Sequence, residues 1–308
     1  MIDYESLEFV ANPYGSADSL GLKGLMVQGN WQDELVPFIK SNGVESLYFN
    51  YARGWEGNDF SFLSKLRHIQ ELGITVGEAS GLEAVAMMKS LRYQSISCAG
   101  NPKLDLSGIE SLGYCYLNTP DSGHLVGGCT SLTKLYLDRW KKADLGALSQ
   151  LRRLKSLTIG NSSIDSLHGM SDLAGLTELN LLNNRKLTAF EELSKACHLK
   201  QLSLGGCKGL DSLGFLTNLR SLEILDFSDC GEIVSLAALK EIPTLKAVSF
   251  AGNTKILDGR LDHLVGLPLL SMLMFKSRKH YTHKLVKQWN WNNFDTPDRL
   301  LELKQNSE

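Results

Sequence analysis

One phrase recurs along almost the whole 308-residue chain: an apolar residue, further apolar residues three and five positions later, and a small polar residue at the eighth. Its clearest form starts at Leu176, with Leu179 and Leu181 inside it and Asn184 closing it. Other copies start at Leu91, Leu112, Leu132, Leu154, Leu199, Leu222, Leu245 and Leu270, and weaker ones at Tyr4, Leu22, Val44 and Ile69. That makes thirteen copies, mostly 20 to 25 residues apart. The step of two inside each copy is the alternation of a half-buried strand, not the three-and-four spacing of a helix.

Each unit is one layer thick and cannot bury its own leucines. Stacking like units gives them a shared interior, so the period itself predicts a solenoid. After Leu222 the apolar residues Ile233, Leu236, Leu239 and Ile242 fall three apart. That spacing predicts a 3₁₀-like return. At the eighth position the strand has ended and its backbone groups need partners. Asn12, Asn30, Asn184 and Asn253 can bridge them, and Ser162, Cys207 and Cys230 can do so with a hydroxyl or thiol. Ala52, Gly77, Ala99, Pro120 and Trp140 stand there in the first half and cannot bridge as asparagine does, so irregular backbone is expected.

The phrase L-x-x-L-x-L-x-x-N/C, with units near 22 or 23 residues, resembles the leucine-rich repeat family, and its short returns resemble internalin-like repeats and intracellular regulators. The resemblance covers roughly residues 4–278. It implies an α/β solenoid: a horseshoe whose concave parallel sheet has about thirteen strands, most often used to bind proteins. The expected organisation is a solenoid over 1–278, its first turn (about 4–21) acting as an N-terminal cap. A C-terminal cap over 279–308 follows, with a short helix near 297–305 started by Asp295 or Thr296 and Pro297. In that cap Leu300, Leu301 and Leu303 form a stripe, and Trp289, Trp291 and Phe294 cover the core.

Net charge is −2, which drives the chain toward neither nucleic acid nor a membrane. No signal peptide or membrane-spanning run is visible, and six cysteines without C-x-x-C pairing read as reduced thiols, so a cytoplasmic protein is expected. The basic cluster Lys134, Arg139, Lys141, Lys142, Arg152, Arg153 and Lys155 reads as solvated surface. There is no G-x-S-x-G, P-loop, H-E-x-x-H or Rossmann fingerprint. His280 and His283 form an isolated H-x-x-H with no third ligand nearby, and no metal, cofactor or catalytic residue is assigned.

Side chains alternate across a strand, so positions two, four and six of each copy face the concave side. In the first half these include Tyr48, Tyr93, Tyr114, Tyr116, Tyr136 and Asp138, with Tyr51 and Arg139 following at position seven. Tyr93 and Tyr114 share a position on neighbouring strands, as do Tyr116 and Tyr136, which predicts stacked rings. Later copies offer Ser156, Thr158, Glu178, Asn180, Gln201, Ser203, Asp226 and Ser228, small and polar. Tyrosine and arginine dominate interface hot spots. The expected function is therefore a non-enzymatic module, monomeric, that binds a protein through these eight residues. The alternatives are carbohydrate binding, self-association, or recognition with undetected chemistry.

Overall fold

Positions two to six of the repeat phrase become the strands of the computed structural model, which describes residues 7–11, 13, 17–100, 103–119, 126–285 and 301–303. The chain divides into two units, residues 1–141 with 147–154 and residues 142–146 with 155–308. The first holds β1 (Leu7–Val10), β2 (Gly24–Val27), β3 (Ser46–Asn50), β4 (Glu71–Thr75), β5 (Tyr93–Ser97), β6 (Tyr114–Asn118) and β7 (Lys134–Asp138). The second holds β8 (Ser156–Gly160), β9 (Glu178–Leu182), β10 (Gln201–Ser203), β11 (Ile224–Asp226), β12 (Glu232–Ile233), β13 (Ala247–Phe250), β14 (Lys255–Ile256), β15 (Met272–Phe275), β16 (His283–Leu285) and β17 (Leu301–Leu303).

In the first unit β2 to β7 pair in parallel in chain order, while β1 runs antiparallel to β2. In the second, β8, β9, β10, β11, β13 and β15 pair in parallel, and β12 pairs with β14 as a small parallel ribbon. The copies from Leu22 to Leu270 supply the parallel strands the repeat predicts; the copy starting at Tyr4, expected to join them in parallel, supplies β1 and runs antiparallel instead. The chain has the leucine-rich repeat fold.

Leu176, Leu179, Leu181 and Leu187 are all buried, and the equivalent leucines of each copy form the interior. Truncating one such leucine costs about 2–5 kcal/mol. The returns are short 3₁₀ segments such as Glu191–Lys195, Gly214–Asn218 and Ala237–Glu241. The three-residue spacing after Leu222 is the hydrogen-bond step itself: Leu239 N–H donates to Leu236 O, Ile242 to Leu239 O and Leu245 to Ile242 O. Phe227, Phe250 and Phe275, at position five of successive copies, stack with centroids 5.5 and 4.9 Å apart.

Strand ends are bridged as the fold requires, with one change of residue. Asn184 Oδ1 accepts from the backbone N–H and hydroxyl of Ser162, and its Nδ2 donates to Ile159 O. Cys207 and Cys230 donate their thiols to Leu181 O and Leu204 O. Asn253, expected to continue this line, is exposed, with its N–H donating to Asp229 Oδ1. Thr254 bridges instead, between Phe227 O and Cys230 N–H. Asn30 is also exposed, with its amide on Glu56, and Asn12 lies outside the described residues.

The helix expected near 297–305 is corrected where the structure describes it. Leu301–Leu303 is a strand antiparallel to His283–Leu285, in keeping with the period-two alternation Leu-Glu-Leu. Trp289, Trp291, Phe294, Asp295, Thr296, Pro297 and Leu300 lie outside the described residues, as do Tyr4, Pro120 and His124.

Candidate functional site

Strand register in the first unit sorts the sheet face opposite the leucine core into three rows. The first runs Ser46, Glu71, Tyr93, Tyr114, Lys134; the second Tyr48, Gly73, Ser95, Tyr116, Tyr136; the third Asn50, Thr75, Ser97, Asn118, Asp138. Parallel strands lie about 4.8 Å apart, so neighbours within a row touch. Tyr93 and Tyr114 stack with centroids 4.3 Å apart and planes 4° from parallel; Tyr116 and Tyr136 stack at 4.5 Å and 18°. Both pairs follow from their shared repeat positions.

The rows differ in exposure. Tyr48 and Tyr93 are buried, at 1% and 7% of full exposure, which corrects their expected place on an open face. The cause lies early in the chain. Ser19 Oγ and Leu20 N–H both donate to Glu71 Oε2, at 3.3 and 3.1 Å. Lys134 Nζ donates to both oxygens of Asp18, at 3.1 and 2.8 Å. Glu71 and Lys134 stand at opposite ends of the first row's Tyr93–Tyr114 pair, so Asp18–Leu20 crosses that pair as a strap. Glu71 is buried at 1%. The ring of Tyr48 occupies the space above Gly24, where an added Cβ would come within 2.9 Å of it and 2.7 Å of Val10 O.

Tyr116 and Tyr136 are half-buried and remain on the open part of the face. Burial raises the pKa of both phenols; beyond burial, the carboxylate of Asp138 acts on Tyr116, and Tyr116 and then Asp138 act on Tyr136. Both are therefore neutral hydroxyls near pH 7. The third row opens into a pocket of about 510 Å³, lined among others by Tyr51, Thr75, Ser97, Asn118, Asp138 and Arg139. Tyr51 is 65% exposed, not on a strand but in the 3₁₀ turn Tyr51–Arg53. Asp138 is buried at 8%.

Arg139 has φ +58°, in the left-handed region, as do Asn161, Asn183 and Asp229 at the same repeat position. Asparagine and aspartate tolerate that conformation; arginine is a rarer occupant. Its guanidinium offsets the cost by clasping strand ends: Nε donates to Asn118 Oδ1, and Nη2 to Asn118 O and Cys98 O. Arginine thus holds carbonyls at positions six and seven of the two preceding copies, while Ala52, Gly77 and Ala99 at position eight of the earlier copies are exposed. Trp140 turns inward at 1% exposure, its indole N–H buried without a hydrogen-bond acceptor. The repeat template misses this clasp, because position seven of the other first-half copies holds Tyr51, Val76 and Cys98 among others and gives no pattern from which Arg139 stands out.

The sheet face of the second unit satisfies itself. Asn180 donates to Thr158, Ser203 to Asp226, and Ser228 to Asp226 while its oxygen meets the Ser249 hydroxyl. Lys141, Lys142, Arg152, Arg153 and Lys155 are exposed. His280 Nε2 meets Ile256 O and His283 Nδ1 meets the Thr282 hydroxyl. Among the described residues no group of three or more His, Cys, Asp or Glu is placed to hold a metal ion, and no helix is long and apolar enough to cross a membrane.

Residues 142–242 match the family described as the LRR domain of the endo-beta-N-acetylglucosaminidase EndoS. The chain is 34% identical over 190 residues to the disease resistance protein RPS4B of Arabidopsis thaliana, covering 60% of this chain and 15% of that protein. It is 25% identical over 200 residues to RPP4 of the same plant, covering 62% of this chain and 17% of that one. The chain therefore spans about a sixth of the length of these plant relatives. An internalin (inlF) of Listeria monocytogenes has a similar fold, with a TM-score of 0.60 at 18% identity and 83% of each chain covered.

Proposed function

Because the chain is a leucine-rich repeat protein, a class commonly built as an interaction scaffold, we propose that it is a non-enzymatic module that binds a protein partner through the tyrosine-bearing face of its first unit. The observation that carries this reading is the stacked Tyr116–Tyr136 pair, half-buried and next to Asp138 and Arg139. A rigid aromatic platform beside an acid and a guanidinium is the composition of an interface hot spot. Two tyrosines already ordered by stacking lose little rotamer freedom when a partner covers them. Tyr51 lines the neighbouring pocket together with Asp138 and Arg139.

The later face lacks such a platform and spends its hydroxyls and carboxylates on one another. In this reading β1, turned antiparallel on β2, closes one end of the stack, and the protein acts as a monomer. A reducing, cytoplasmic setting fits Cys207 and Cys230, which use their S–H groups as donors.

The test is affinity capture from the native host with the chain as bait, wild type beside Tyr116→Ala/Tyr136→Ala. Loss of the same captured protein from the double variant, with its melting temperature nearly unchanged, supports the proposal. Equal capture by both removes this face from the function. A carbohydrate is the second reading, favoured by the hydroxyl, amide and carboxylate lining of the neighbouring pocket. Glycan-array binding that depends on Asp138 would replace the first reading with it.

A further inference from the structure

The strap Asp18–Leu20 is held by the side chains of the face it covers, not by strand pairing. The row beneath it presents a carboxylate at Glu71, a floor of two stacked tyrosines, and an ammonium at Lys134. The two charges are three strands apart, about 14 Å. An extended segment of four residues spans about the same length, and the reach of the lysine shortens what is needed. The row is therefore a ready cradle for a short extended chain that brings donors to one end and a carboxylate to the other.

The chain's own strap meets those terms with Leu20 N–H and Ser19 Oγ on Glu71 and Asp18 on Lys134. The Lys134 end of its grip is exchangeable. The Asp18–Lys134 pair is 32% and 42% exposed, and exposed pairs contribute about 0.2–1 kcal/mol. Gly21, at φ +64°, ends the strap in a left-handed turn that returns the chain toward β2. The cradle is continuous by register with the open Tyr116–Tyr136 pair: Tyr114 and Tyr116 lie on β6, two residues apart.

We infer that the strap occupies part of the partner's footprint, and that the partner lays there an extended segment carrying a carboxylate for Lys134 and hydrogen-bond donors for Glu71. This rests on the reading of the tyrosine face as an interaction surface. The strap is then an internal competitor: its tether gives it an effective concentration on the order of millimolar, which an acidic segment must overcome. Displacement would uncover Tyr93 beside the half-buried Tyr114 and extend the aromatic platform from one stacked pair to two.

The experiment uses the full chain and a fluorescein-labelled synthetic peptide with the sequence of residues 13–22, PYGSADSLGL. Fluorescence anisotropy compares wild type with Asp18→Ala/Ser19→Ala, whose own strap has lost its side-chain contacts. The variant is expected to bind the peptide at least roughly tenfold more tightly than wild type, the scale of a lost charged hydrogen bond plus an ion pair. Adding Lys134→Glu to the variant is expected to abolish that gain, and a peptide with Lys in place of its Asp to restore it. Equal binding by wild type and variant, or a gain that ignores the charge reversal, overturns the inference.

Hydrogen exchange gives a second readout that needs no partner: in Lys134→Glu, whose strap sequence is intact, the Leu20 amide is expected to exchange at least roughly tenfold faster, and an unchanged rate counts against the strap. Peptide capture alongside an inert Tyr116/Tyr136 pair in the host experiment would sink the interaction reading, and with it the partner's footprint, while leaving a cradle that takes the chain's own strap. The reverse result would sink only the cradle.

Discussion

Arg139 holds Asn118 twice, with Nε on the side-chain oxygen at 3.0 Å and Nη2 on the main-chain carbonyl at 2.8 Å, from a backbone at φ +58°. One residue therefore carries both a local strain and the bonds that offset it. A left-handed arginine costs on the order of 1 kcal/mol, and charged hydrogen bonds return about 1.5–3 kcal/mol each when well buried. Arg139→Gly relieves the strain and removes the clasp, so a net loss of about 1 kcal/mol is expected in urea unfolding. Arg139→Lys keeps the strain and loses the fork, so it should be the less stable of the two. The opposite order would show that the backbone there is not strained.

The Tyr116–Tyr136 contact is expected to be worth about 0.5–1.5 kcal/mol as a coupling energy in a double-mutant cycle of the two alanine variants. Coupling near zero would mean that the rings stack without support and are not a preformed platform.

Asn184 and Asn253 separate the two kinds of asparagine in the repeat. Asn184→Ala strands Ser162 N–H and Ile159 O in the interior and is expected to cost about 2–4 kcal/mol. Asn253→Ala, at an exposed site, should fall within about 0.5 kcal/mol of wild type. Chemical denaturation of the two variants decides it.

Burial pushes the thiols of Cys98 and Cys207 up to about 11, and those of Cys129 and Cys230 to about 12, from an ordinary 9.0. The fold favours the neutral thiol. Above pH 9 the unfolded chain loses these protons first, so stability is full below about 9 and declines as pH rises toward 12. Urea midpoints measured across pH 8–11 should fall steadily over the upper part of that range. At pH 8, iodoacetamide should modify the native protein at the exposed Cys197 alone and reach all six cysteines only in denaturant.

Gly24→Ala places a methyl against Val10 O and the Tyr48 ring at once. The carbonyl cannot retreat as a flexible side-chain end would. The variant is expected to lose about 1–3 kcal/mol and to loosen β1 from β2, read as faster amide exchange at Leu7–Val10.

What the sequence determined by itself is what repeats. Leucines at positions zero, three and five, returns stepping by three, and tyrosines sharing a position were all legible, because a stacked unit carries its geometry in its own spacing. Asn184, Cys207 and Cys230 stand where that spacing placed them. Tertiary structure alone decided which of the tyrosines are open. The bond from Lys134 to Asp18 joins residues 116 apart. Nothing periodic encodes a contact between one non-repeating segment and one side chain of a distant strand, so the burial of Tyr48 and Tyr93 could not be read in advance. The clasp of Arg139 on Asn118 and Cys98 belongs with them: it depends on a left-handed backbone and on two earlier strands ending at the right height, which only the folded stack supplies.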